Sequence, residues 1–546
     1  MSAVAQDYHI VIGLEVHVQL LTASKLFCGC RNQFGQPPNS ATCPVCLGLP
    51  GSLPVMNRKA FELAVKAALA LNCTIAPFTK WDRKNYYYPD LPKNYQISQY
   101  DLPFSSEGWL EIETSQGQRK MRILRVHLEE DAGKMLHDEK GGGTESLVDL
   151  NRTGTPLLEI VSHPDMTTPE EAKAYLEEIR LLLREIGVSD CEMQEGSLRC
   201  DANINLHVPV EATQSVAVVR SHAERGNEVE SVAERGNEVT FVATPIVEVK
   251  NLNSFRAVER ALKYEAERQL GELHEKLGSE WSIDRDKPRR FRDRQVCPVL
   301  EEVRGKPGEV SKATVGWREE VGRTDEQRRK EEAADYRYFP DPDLVPILVD
   351  PAWLDEVWAE LGELPAAQRE RLVRQYGLSE YDTGVLTRQG RAFVAYFEEA
   401  ARVSREPKEA CNWLTNEVLQ ALNERKQEIG EFAVAAPALG LLIQQCKQIG
   451  LPKQRAREVF AHMLETGEDA ERAIHELGFD QVLGDEDQLR DIVRKAIAAN
   501  AKAVADFKKG KTKAADAIKG AIMRETKGMA KVEVVQQILL EELQKV

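Results

Sequence analysis

The stretch His9-Ile-Val-Ile-Gly-Leu-Glu-Val-His-Val-Gln-Leu20 alternates apolar and polar residues with a period of two. Every even-numbered residue from Ile10 to Leu20 is apolar, and Glu15, His17 and Gln19 fall on the opposite face. Successive side chains of a strand point to opposite faces, so this pattern predicts a half-buried strand with a polar outer face.

A second stretch, residues 198–206, follows the same rule. Its apolar set is Leu198, Cys200, Ala202, Ile204 and Leu206, and its polar set is Arg199, Asp201, Asn203 and Asn205. Two strands of this type predict an open antiparallel sheet that is apolar on one side and polar on the other. Helices are predicted between the strands. Thr168-Pro-Glu-Glu171 is a capping box with proline at the first helical position, which predicts the start of one helix, and Arg58 to Leu71 predicts another.

Beyond the Pro-rich segment that ends at Pro346, helix formers with short Gly or Pro breaks dominate. The fold class expected is therefore α+β, with residues 1–350 as the sheet-containing domain. An all-α domain is expected at 351–478 and a small helical tail domain at 479–546.

The bulk composition is that of an ordinary globular protein with length for several cores, since 546 residues include 42% hydrophobic and 29% charged residues. The start has no basic and apolar leader, and no run approaches the roughly 18 apolar residues that span a bilayer. These features predict a cytoplasmic protein that makes no membrane contact.

Charge is distributed unevenly along an acidic chain of net charge −16. The segment Ala501 to Lys531 has nine basic and three acidic residues, which favours an interaction tail, although a merely solvated basic helix has the same composition. Two segments read as insertions. One lies near 221–240, where Ala-Glu-Arg-Gly-Asn-Glu-Val occurs at 223–229 and again at 233–239, and the other is the charged segment 297–334.

Four of the ten cysteines are clustered, as Cys28-Gly-Cys30 and Cys43-Pro-Val-Cys46. Two close pairs of thiolates can supply the four soft ligands of a tetrahedral structural zinc site. The alternatives are four unrelated buried cysteines and a disulfide pair, the latter rare in a cytosol.

Carboxylates accumulate around the polar face of the expected sheet. Glu15 and His17 share one side of a strand, Val126-His-Leu-Glu-Glu-Asp131 carries three acids after an apolar run, and Glu159 interrupts the apolar stretch 157–161. An unpaired charge inside an apolar strand is costly, and oxygen ligands with one imidazole suit Mg²⁺ or Mn²⁺. A solvent-facing polar strand side is the alternative.

A segment rich in aromatic residues, Trp81 to Asp90, contains Arg83 and Lys84 beside three tyrosines. Either cation could bind a phosphate, or the loop could simply pack on the sheet. Neither a Walker A loop nor a G-x-G-x-x-G motif occurs, so a nucleotide would not be bound on a P-loop or a Rossmann turn.

Nine motifs, in this order along the chain, resemble those of the B subunits of the tRNA-dependent amidotransferases (GatCAB). They are Val11-Ile-Gly-Leu-Glu-Val-His17, Asp82-Arg-Lys-Asn-Tyr-Tyr-Tyr-Pro-Asp90, Tyr95-Gln-Ile-Ser-Gln99, His127-Leu-Glu-Glu-Asp-Ala-Gly-Lys134, Leu147-Val-Asp-Leu-Asn-Arg152, Gly154-Thr-Pro-Leu-Leu-Glu-Ile-Val161, Glu195-Gly-Ser-Leu-Arg-Cys-Asp-Ala-Asn203, Lys250-Asn-Leu-Asn-Ser-Phe255 and Asp335-Tyr-Arg-Tyr-Phe-Pro340. The resemblance implies a cradle domain similar to the catalytic fold of glutamine synthetase, followed by helical domains that contact tRNA.

The same resemblance implies the function of the chain. It would phosphorylate the side-chain carboxylate of Glu-tRNA(Gln) or Asp-tRNA(Asn) with ATP and Mg²⁺, and ammonia from an amidase A subunit would then displace the phosphate. The partners would be the A subunit, a small C subunit and the mischarged tRNA. A tRNA-binding scaffold without its own chemistry and a free-standing carboxylate–amine ligase are the alternatives.

Matching the family's motifs implies roles for individual residues. His17, Glu130 and Glu159 would bind Mg²⁺, with Glu15, Lys84 and Glu130 as catalytic residues. Asp149, Arg152, Asp201 and Asn203 would bind ATP or substrate, and Cys28, Cys30, Cys43 and Cys46 would bind zinc, as in many family members. Glu129 is given the lesser role, although the strand phase does not separate it from Glu130.

Overall fold

The computed structural model describes residues 8–137, 146–211, 239–277, 312–330, 336–479, 486–508, 514–526 and 532–545. Two compact units divide the chain, Met1–Leu364 and Pro365–Val546. The repeats at 223–229 and 233–239 lie outside the described residues except for Val239, as does the first part of the charged segment, 297–311.

The strands of the first unit alternate with few helices. They are β1 (His9–Gln19), β2 (Thr74–Ile75), β3 (Phe78–Thr79), β4 (Asp82–Asn85), β5 (Tyr95–Ser98), β6 (Ser105–Thr114), β7 (Gly117–Glu130), β8 (Lys134–His137), β9 (Ser146–Asp149), β10 (Pro156–Ser162), β11 (Leu198–Glu211), β12 (Val239–Ala243), β13 (Val247–Lys250), β14 (Lys312–Arg318), β15 (Arg323–Lys330), β16 (Phe339–Pro340) and β17 (Ile347–Leu348).

One large sheet organises this unit, in the order β15-β14-β13-β11-β1-β10-β7-β6-β2, with β12 paired to β11. Its strand pairs are antiparallel except for β13 and β14, which are parallel. A parallel pair needs a crossover connection, and the chain between these two strands contains a long helix, Phe255–Leu277. The expected α+β class is confirmed, with a mixed rather than purely antiparallel sheet.

The described part of the first unit contains five helices, of which the three longest bury apolar side chains against the sheet. The five helices are α1 (Pro44–Leu47), α2 (Arg58–Ala70), α3 (Pro169–Glu185), α4 (Phe255–Leu277) and α5 (Pro351–Ala359). The apolar side chains of β1 are buried in one core with Tyr175 and Ile179 of α3. The polar side of the sheet remains available for a site.

The start of α3 is determined by its own side chains. The Thr168 hydroxyl accepts a hydrogen bond from the backbone N–H of Glu171, as the capping box predicts. In turn, the Glu171 carboxylate accepts a hydrogen bond from the backbone N–H of Thr167. In the standard capping box the donor would be the N–H of the N-cap residue, here Thr168.

The charged segment expected as an irregular insertion at 297–334 contains two strands of the main sheet, β14 and β15. The expectation was wrong for residues 312–330, because the many charged residues of this segment hid the alternation of apolar and polar residues that marks a strand. Val315 and Trp317 are buried in the core, and the ring of Trp317 lies edge-on to Tyr264 of α4. The outer strand of the sheet is β15, and its charged side chains protect the open edge against pairing with another chain.

Helix α5 belongs to the first unit, so the unit boundary lies at residue 364 and not at 350. Val357 is buried in the core of the sheet unit, and the ring of Trp353 stacks on Phe61 of α2 with centroids 6.0 Å apart. These contacts hold α5 against α2.

The second unit is helical in its described part. Its helices are α6 (Pro365–Tyr376), α7 (Glu380–Arg388), α8 (Arg391–Ser404), α9 (Pro407–Trp413), α10 (Leu419–Arg425), α11 (Ala436–Ile449), α12 (Lys453–Thr466), α13 (Ala470–Glu476), α14 (Glu486–Ala499), α15 (Ala501–Lys508), α16 (Ala514–Glu525) and α17 (Val532–Lys545), with a π-helical turn at Leu414–Val418. Two separate apolar clusters form, one from Leu372 to Phe479 and one from Leu489 to Leu543. None of the helices in the described ranges combines the length and apolar character needed to cross a bilayer.

Candidate functional site

The register of the sheet brings together residues that are far apart in the sequence. His17 of β1 lies opposite Glu159 of β10 on one side and Arg199 of β11 on the other, and Glu159 lies opposite His127 of β7. Residues in one row across a sheet point to the same face. The Glu159 carboxylate is therefore contacted from both sides, with its Oε2 at 3.5 Å from His17 Nε2 and 3.4 Å from His127 Nε2.

Glu129 lies on the same face of the sheet as this row, because it follows His127 by two residues along β7. Its Oε2 lies 3.8 Å from His127 Nε2 and accepts a hydrogen bond of 3.3 Å from the Ser98 hydroxyl. Ligand atoms of His17, Glu129 and Glu159 lie within 4.8 Å of one another. We call these three residues the carboxylate–imidazole group.

Glu130 does not lie in this group, although the sequence motif suggested it. Its carboxylate forms a buried ion pair with Lys93 and accepts a hydrogen bond of 2.9 Å from the Ile97 N–H. Alternation sends neighbouring residues of a strand to opposite faces, so only Glu129 can share the face of His127. The apolar pair Val126 and Leu128 is the sequence signal that could have decided between the two acids.

The charges of the group are strongly coupled. Burial acts to raise the pKa of Glu159, but the two histidines outweigh burial and hold this pKa well below its usual range. Burial likewise lowers the pKa of His17, but its hydrogen bond to the Glu159 carboxylate and that negative charge raise the value to about 9. In the free protein near neutral pH the carboxylate is ionised and His17 carries a proton.

A second polar cluster lies beside the group, on the same face of β1, β11 and β13. Glu15 Oε1 accepts a hydrogen bond of 3.0 Å from Asn203, and the Lys250 ammonium lies 2.8 Å from Asp201 and 3.1 Å from Glu248. Burial raises the pKa of Glu15, and the negative charge of Glu159 adds to this rise. The structure thus brings Glu15, Asp201 and Asn203 together, as expected from the sequence.

Glu248 and Lys250 were not among the expected site residues. The alternating segment Val247-Glu-Val-Lys250, whose last residue begins the motif Lys250 to Phe255, is the signal that could have identified them.

Lys84 of β4 approaches the group from a smaller three-stranded sheet, β16-β4-β5. Its ammonium lies 5.1 Å from the centroid of the Tyr336 ring and 5.9 Å from that of Tyr86. Burial lowers the pKa of Lys84, but the negative charge of Glu129 and other nearby groups overcomes burial and raises it. Lys84 is therefore a half-buried cation close enough to Glu129 and Glu159 for their negative charges to act on it.

Arg83, the other candidate for binding a phosphate, is already engaged. Its guanidinium contacts Asp341 at 2.7 Å and Asp343 at 3.0 Å, and it lies over the Tyr95 ring. Lys84 is thus the better phosphate candidate of the two.

Asp149, at the end of β9, and Arg152, in the turn that follows, make contacts outside the carboxylate–imidazole group. The Asp149 carboxylate accepts hydrogen bonds of 3.0 Å from the N–H groups of Asn39 and Asn151, so it fixes the loop next to the cysteine cluster. Arg152 donates to the carbonyl of Ala132 at 2.9 Å and lies 3.6 Å from Asp131. The structure does not bring Asp149 into the carboxylate–imidazole group.

The four clustered cysteines converge as the sequence predicts. Cys46 Sγ lies 3.6 Å from Cys28 Sγ, 3.7 Å from Cys43 Sγ and 3.9 Å from Cys30 Sγ. Four sulfurs at about 2.3 Å from a tetrahedral zinc are about 3.8 Å apart, so the spacing fits that ion.

A fully buried lysine accompanies the cluster. Lys25 donates to the Ala41 carbonyl at 2.7 Å and to Cys46 Sγ at 3.5 Å. Its ammonium partly offsets the negative charge that four thiolates would bring to a zinc ion.

Known protein families match most of the chain. Residues 10–355 match the family described as GatB/GatE catalytic domain, and residues 395–543 match the family described as GatB domain. These ranges correspond to most of the sheet unit, including the first part of α5, and to most of the helical unit.

Similar proteins cover almost the whole length. Three of them are named as the B subunit of aspartyl/glutamyl-tRNA(Asn/Gln) amidotransferase. The one from Rhodopirellula baltica is 46% identical over 97% of this chain and 96% of its own length. The one from a Thermoanaerobacter species is also 46% identical, over 98% and 100%, and the one from Carboxydothermus hydrogenoformans is 44% identical, over 99% and 100%. The resemblance of the motifs is confirmed, and the chain belongs to the family of aspartyl/glutamyl-tRNA(Asn/Gln) amidotransferase B subunits.

Proposed function

We propose that this chain uses ATP to activate the side-chain carboxylate of glutamate or aspartate carried on tRNA(Gln) or tRNA(Asn), and that ammonia then amidates the activated group. The observation that carries the proposal is the convergence of His17, Glu129 and Glu159 beside Lys84 on the polar face of the sheet. Relatives of nearly equal length are named for an amidotransferase of these tRNAs.

The proposed chemistry follows from the weak electrophilicity of a carboxylate. A carboxylate oxygen attacks the γ-phosphorus of ATP, the bond from that phosphorus to the β-phosphate oxygen breaks, and ADP leaves with the electron pair. Ammonia then attacks the acyl carbon, inorganic phosphate leaves, and one N–H proton passes to phosphate or solvent. The products are the amide, ADP and phosphate.

The carboxylate–imidazole group fits Mg²⁺. Its donors are two carboxylate oxygens and one imidazole nitrogen, within 4.8 Å of one another, where ligands around Mg²⁺ at about 2.1 Å would be roughly 3–4 Å apart. Buried nitrogens without a hydrogen-bond partner, His127 Nδ1 and Arg199 Nε, border the group in the described part of the chain. Bound Mg²⁺ would offset the charge of the transferring phosphoryl group.

The protein's own side chains would prepare this reaction. Lys84 supplies a positive charge that can hold a phosphoryl oxygen or the reacting carboxylate, because its ammonium lies beside the rings of Tyr86 and Tyr336 and within reach of the charges of Glu129 and Glu159. Glu15, positioned by Asn203, lies next to the proposed metal ligands, where it can orient ammonia or bound water. Glu130 would act as a positioning residue through Lys93 and the N–H of Ile97.

The partners we propose are an amidase A subunit, a small C subunit and the mischarged tRNA, in the cytoplasm. The tail cluster around α14–α17 would contact tRNA phosphates through the basic segment 501–531, of which residues 509–513 and 527–531 lie outside the described residues. The cysteine cluster would hold a structural zinc.

A tRNA-binding scaffold without its own chemistry is a weaker second candidate. It would not need a half-buried lysine near two carboxylates, nor a buried carboxylate contacted by two histidines, since keeping such charges out of water costs free energy without a ligand. A free-standing ligase for a small molecule is disfavoured by the names of the full-length relatives.

One assay tests the proposal. The chain, co-purified with its A and C partners, receives Glu-tRNA(Gln) or Asp-tRNA(Asn), ATP, Mg²⁺ and glutamine, and the formation of Gln-tRNA or Asn-tRNA is measured. We expect ADP to form in proportion to the amide. ATP turnover that is independent of aminoacyl-tRNA, or amidation without ATP, would refute the proposal.

A further inference from the structure

We propose that Arg125 is a further ligand-binding residue of this site and that its guanidinium binds oxygens of the transferred phosphoryl group, together with Lys84. This inference rests on the function proposed above and adds the residue that recognises the phosphate. The occupant is a tetrahedral phosphoryl anion, either the γ-phosphate of ATP or the acyl phosphate.

The position of Arg125 on β7 places it on the polar face. It lies opposite Ser106 of β6 and Val161 of β10, two residues before His127. Both neighbours are small compared with an arginine, so they leave room beside the guanidinium. The residue thus extends the row of polar side chains that contains His127 and Glu129.

A β-bulge sets the direction of this side chain. Val161 pairs with Arg125, whereas the next residue of β10, Ser162, pairs with Ile123, so Leu124 is an extra residue in β7. Bulges re-aim side chains and are frequent beside active sites. Glu107, in the neighbouring strand β6, has a positive φ of 53° at the same level.

Arg125 is left without a partner inside the described protein. Its Nε is buried and has no hydrogen-bond acceptor, and no carboxylate of the described residues forms an ion pair with it. Arg122, three residues earlier on the same strand, contacts Asp165 at 2.9 and 2.7 Å. A buried guanidinium nitrogen without an acceptor is costly unless a ligand supplies one.

The surroundings place Arg125 with the other charged groups of the site. Burial raises the pKa of the Tyr338 phenol to about 12. Glu129 and Glu159 add to this rise, whereas Lys84 and Arg125 oppose it. One phenol therefore senses both cations and both carboxylates, and its ring stacks on that of Tyr100 with centroids 3.9 Å apart.

The choice of arginine suits a phosphoryl group. The planar guanidinium can donate two parallel hydrogen bonds to two phosphate oxygens, whereas an ammonium acts as a point charge. A metal ion held by the carboxylates would lie on one side of the phosphate. Lys84 and Arg125, which form no ion pair within the described residues, would lie on the other, so that positive charge would surround the phosphate. If Arg125 only offset the carboxylates, a lysine would serve equally well.

The test compares Arg125→Met and Arg125→Lys in the complex co-purified with the A and C partners, with Arg122→Met as the matched control on the exposed part of β7. The measurements are kcat and KM for ATP, inhibition by inorganic phosphate, the melting temperature, and calorimetric titration with inorganic phosphate in the presence of ADP and Mg²⁺. The titration does not depend on turnover.

We expect Arg125→Met to lower kcat/KM for ATP about 100-fold and to weaken phosphate binding at least about tenfold, at an unchanged melting temperature. Arg125→Lys should recover only part of both losses, and Arg122→Met should behave as wild type in both. If Arg125→Met does not fold, Arg125→Lys provides the test through the same two measurements, kcat/KM for ATP and the affinity for inorganic phosphate.

Phosphate affinity equal to wild type in the foldable Arg125 variant would overturn the inference, whatever happens to turnover. A wild-type complex that binds phosphate through Arg125 but forms no ADP with aminoacyl-tRNA would instead contradict the proposed function and leave the binding role of Arg125 supported.

Discussion

Exchanging Glu129 and Glu130 for glutamine, one at a time, should produce two different kinds of defect. Glu129→Gln removes one ligand of the carboxylate–imidazole group and leaves the fold intact. Glu130→Gln removes the partner of a buried lysine on the reverse face of the same strand.

The magnitudes follow from burial. The side chains of Lys93 and Glu130 are 4% and 3% exposed, so the glutamine variant leaves an uncompensated charge in the core. Breaking such a pair costs about 3–5 kcal/mol. For a domain of more than 200 residues roughly 2 °C is lost per kcal/mol, so we expect the melting temperature to fall by about 6–10 °C. For Glu129→Gln the expected loss of unfolding free energy is smaller, about 1 kcal/mol, because the Glu159 carboxylate remains to balance the positive charges of His17 and Lys84.

The assays are amidation by the complex with its A and C partners, titration of that activity with Mg²⁺, and thermal unfolding of the chain. Glu129→Gln should lower kcat by at least about 100-fold and shift the activation by Mg²⁺ to higher concentration. Glu130→Gln should lower stability, and below its melting temperature it should keep the Mg²⁺ dependence of the wild type. The reverse assignment, with Mg²⁺ dependence altered by Glu130→Gln and unaltered by Glu129→Gln, would refute the reasoning from strand phase.

Three further changes test other parts of the structure. Cys46→Ser should reduce the zinc content, measured by elemental analysis, from one equivalent per chain to well below one, whereas Cys73→Ser, at a buried cysteine outside the cluster, should leave it unchanged. The pKa of Asp165 is lowered because its contacts with Arg122 outweigh burial, so its stabilising contribution is present above the ordinary carboxyl pKa and is lost as pH falls through the lowered value. Asp165→Asn should therefore cost about 1 kcal/mol at pH 7 in chemical unfolding and reduce the loss of stability below about pH 4, and an unchanged acid dependence would count against this role. Trp353→Ala should lower the melting temperature of the sheet unit, at a cost of about 3 kcal/mol, because its ring stacks on Phe61; no change would contradict the placement of α5 in that unit.

Local sequence patterns predicted much of the sheet because alternation is a local property. β1 and β11 follow directly from the apolar and polar phases of residues 9–20 and 198–206, and the two strands pair in the structure. The cysteine cluster was predictable for the same reason, since both pairs of ligands lie within nineteen residues. The edge strands β14 and β15 were missed because the charges of an exposed edge hide the alternation of a few buried side chains.

Which residues share the site is a property of pairing between strands, and no single stretch contains it. Glu159 becomes the centre of the group only when β10 lies between β1 and β7 in the observed register. Likewise, Arg83 and Lys84 are equivalent in sequence, and only the contacts of Arg83 with Asp341 and Asp343 leave Lys84 to face the carboxylates.

The bulge at Leu124 explains why strand phase counted from the first half of β7 selects Glu130 and not Glu129. Read with a strict period of two from the buried residues Met121 and Ile123, β7 would send Arg125, His127 and Glu129 into the core and leave Glu130 on the polar face. The buried residues Val126 and Leu128 show the opposite phase after Leu124. One extra residue therefore moves the histidine, one acid and Arg125 to the polar face together. It follows that the proposed metal ligand Glu129, the buried pair of Glu130 with Lys93 and the proposed phosphate contact all depend on this single irregularity of the strand.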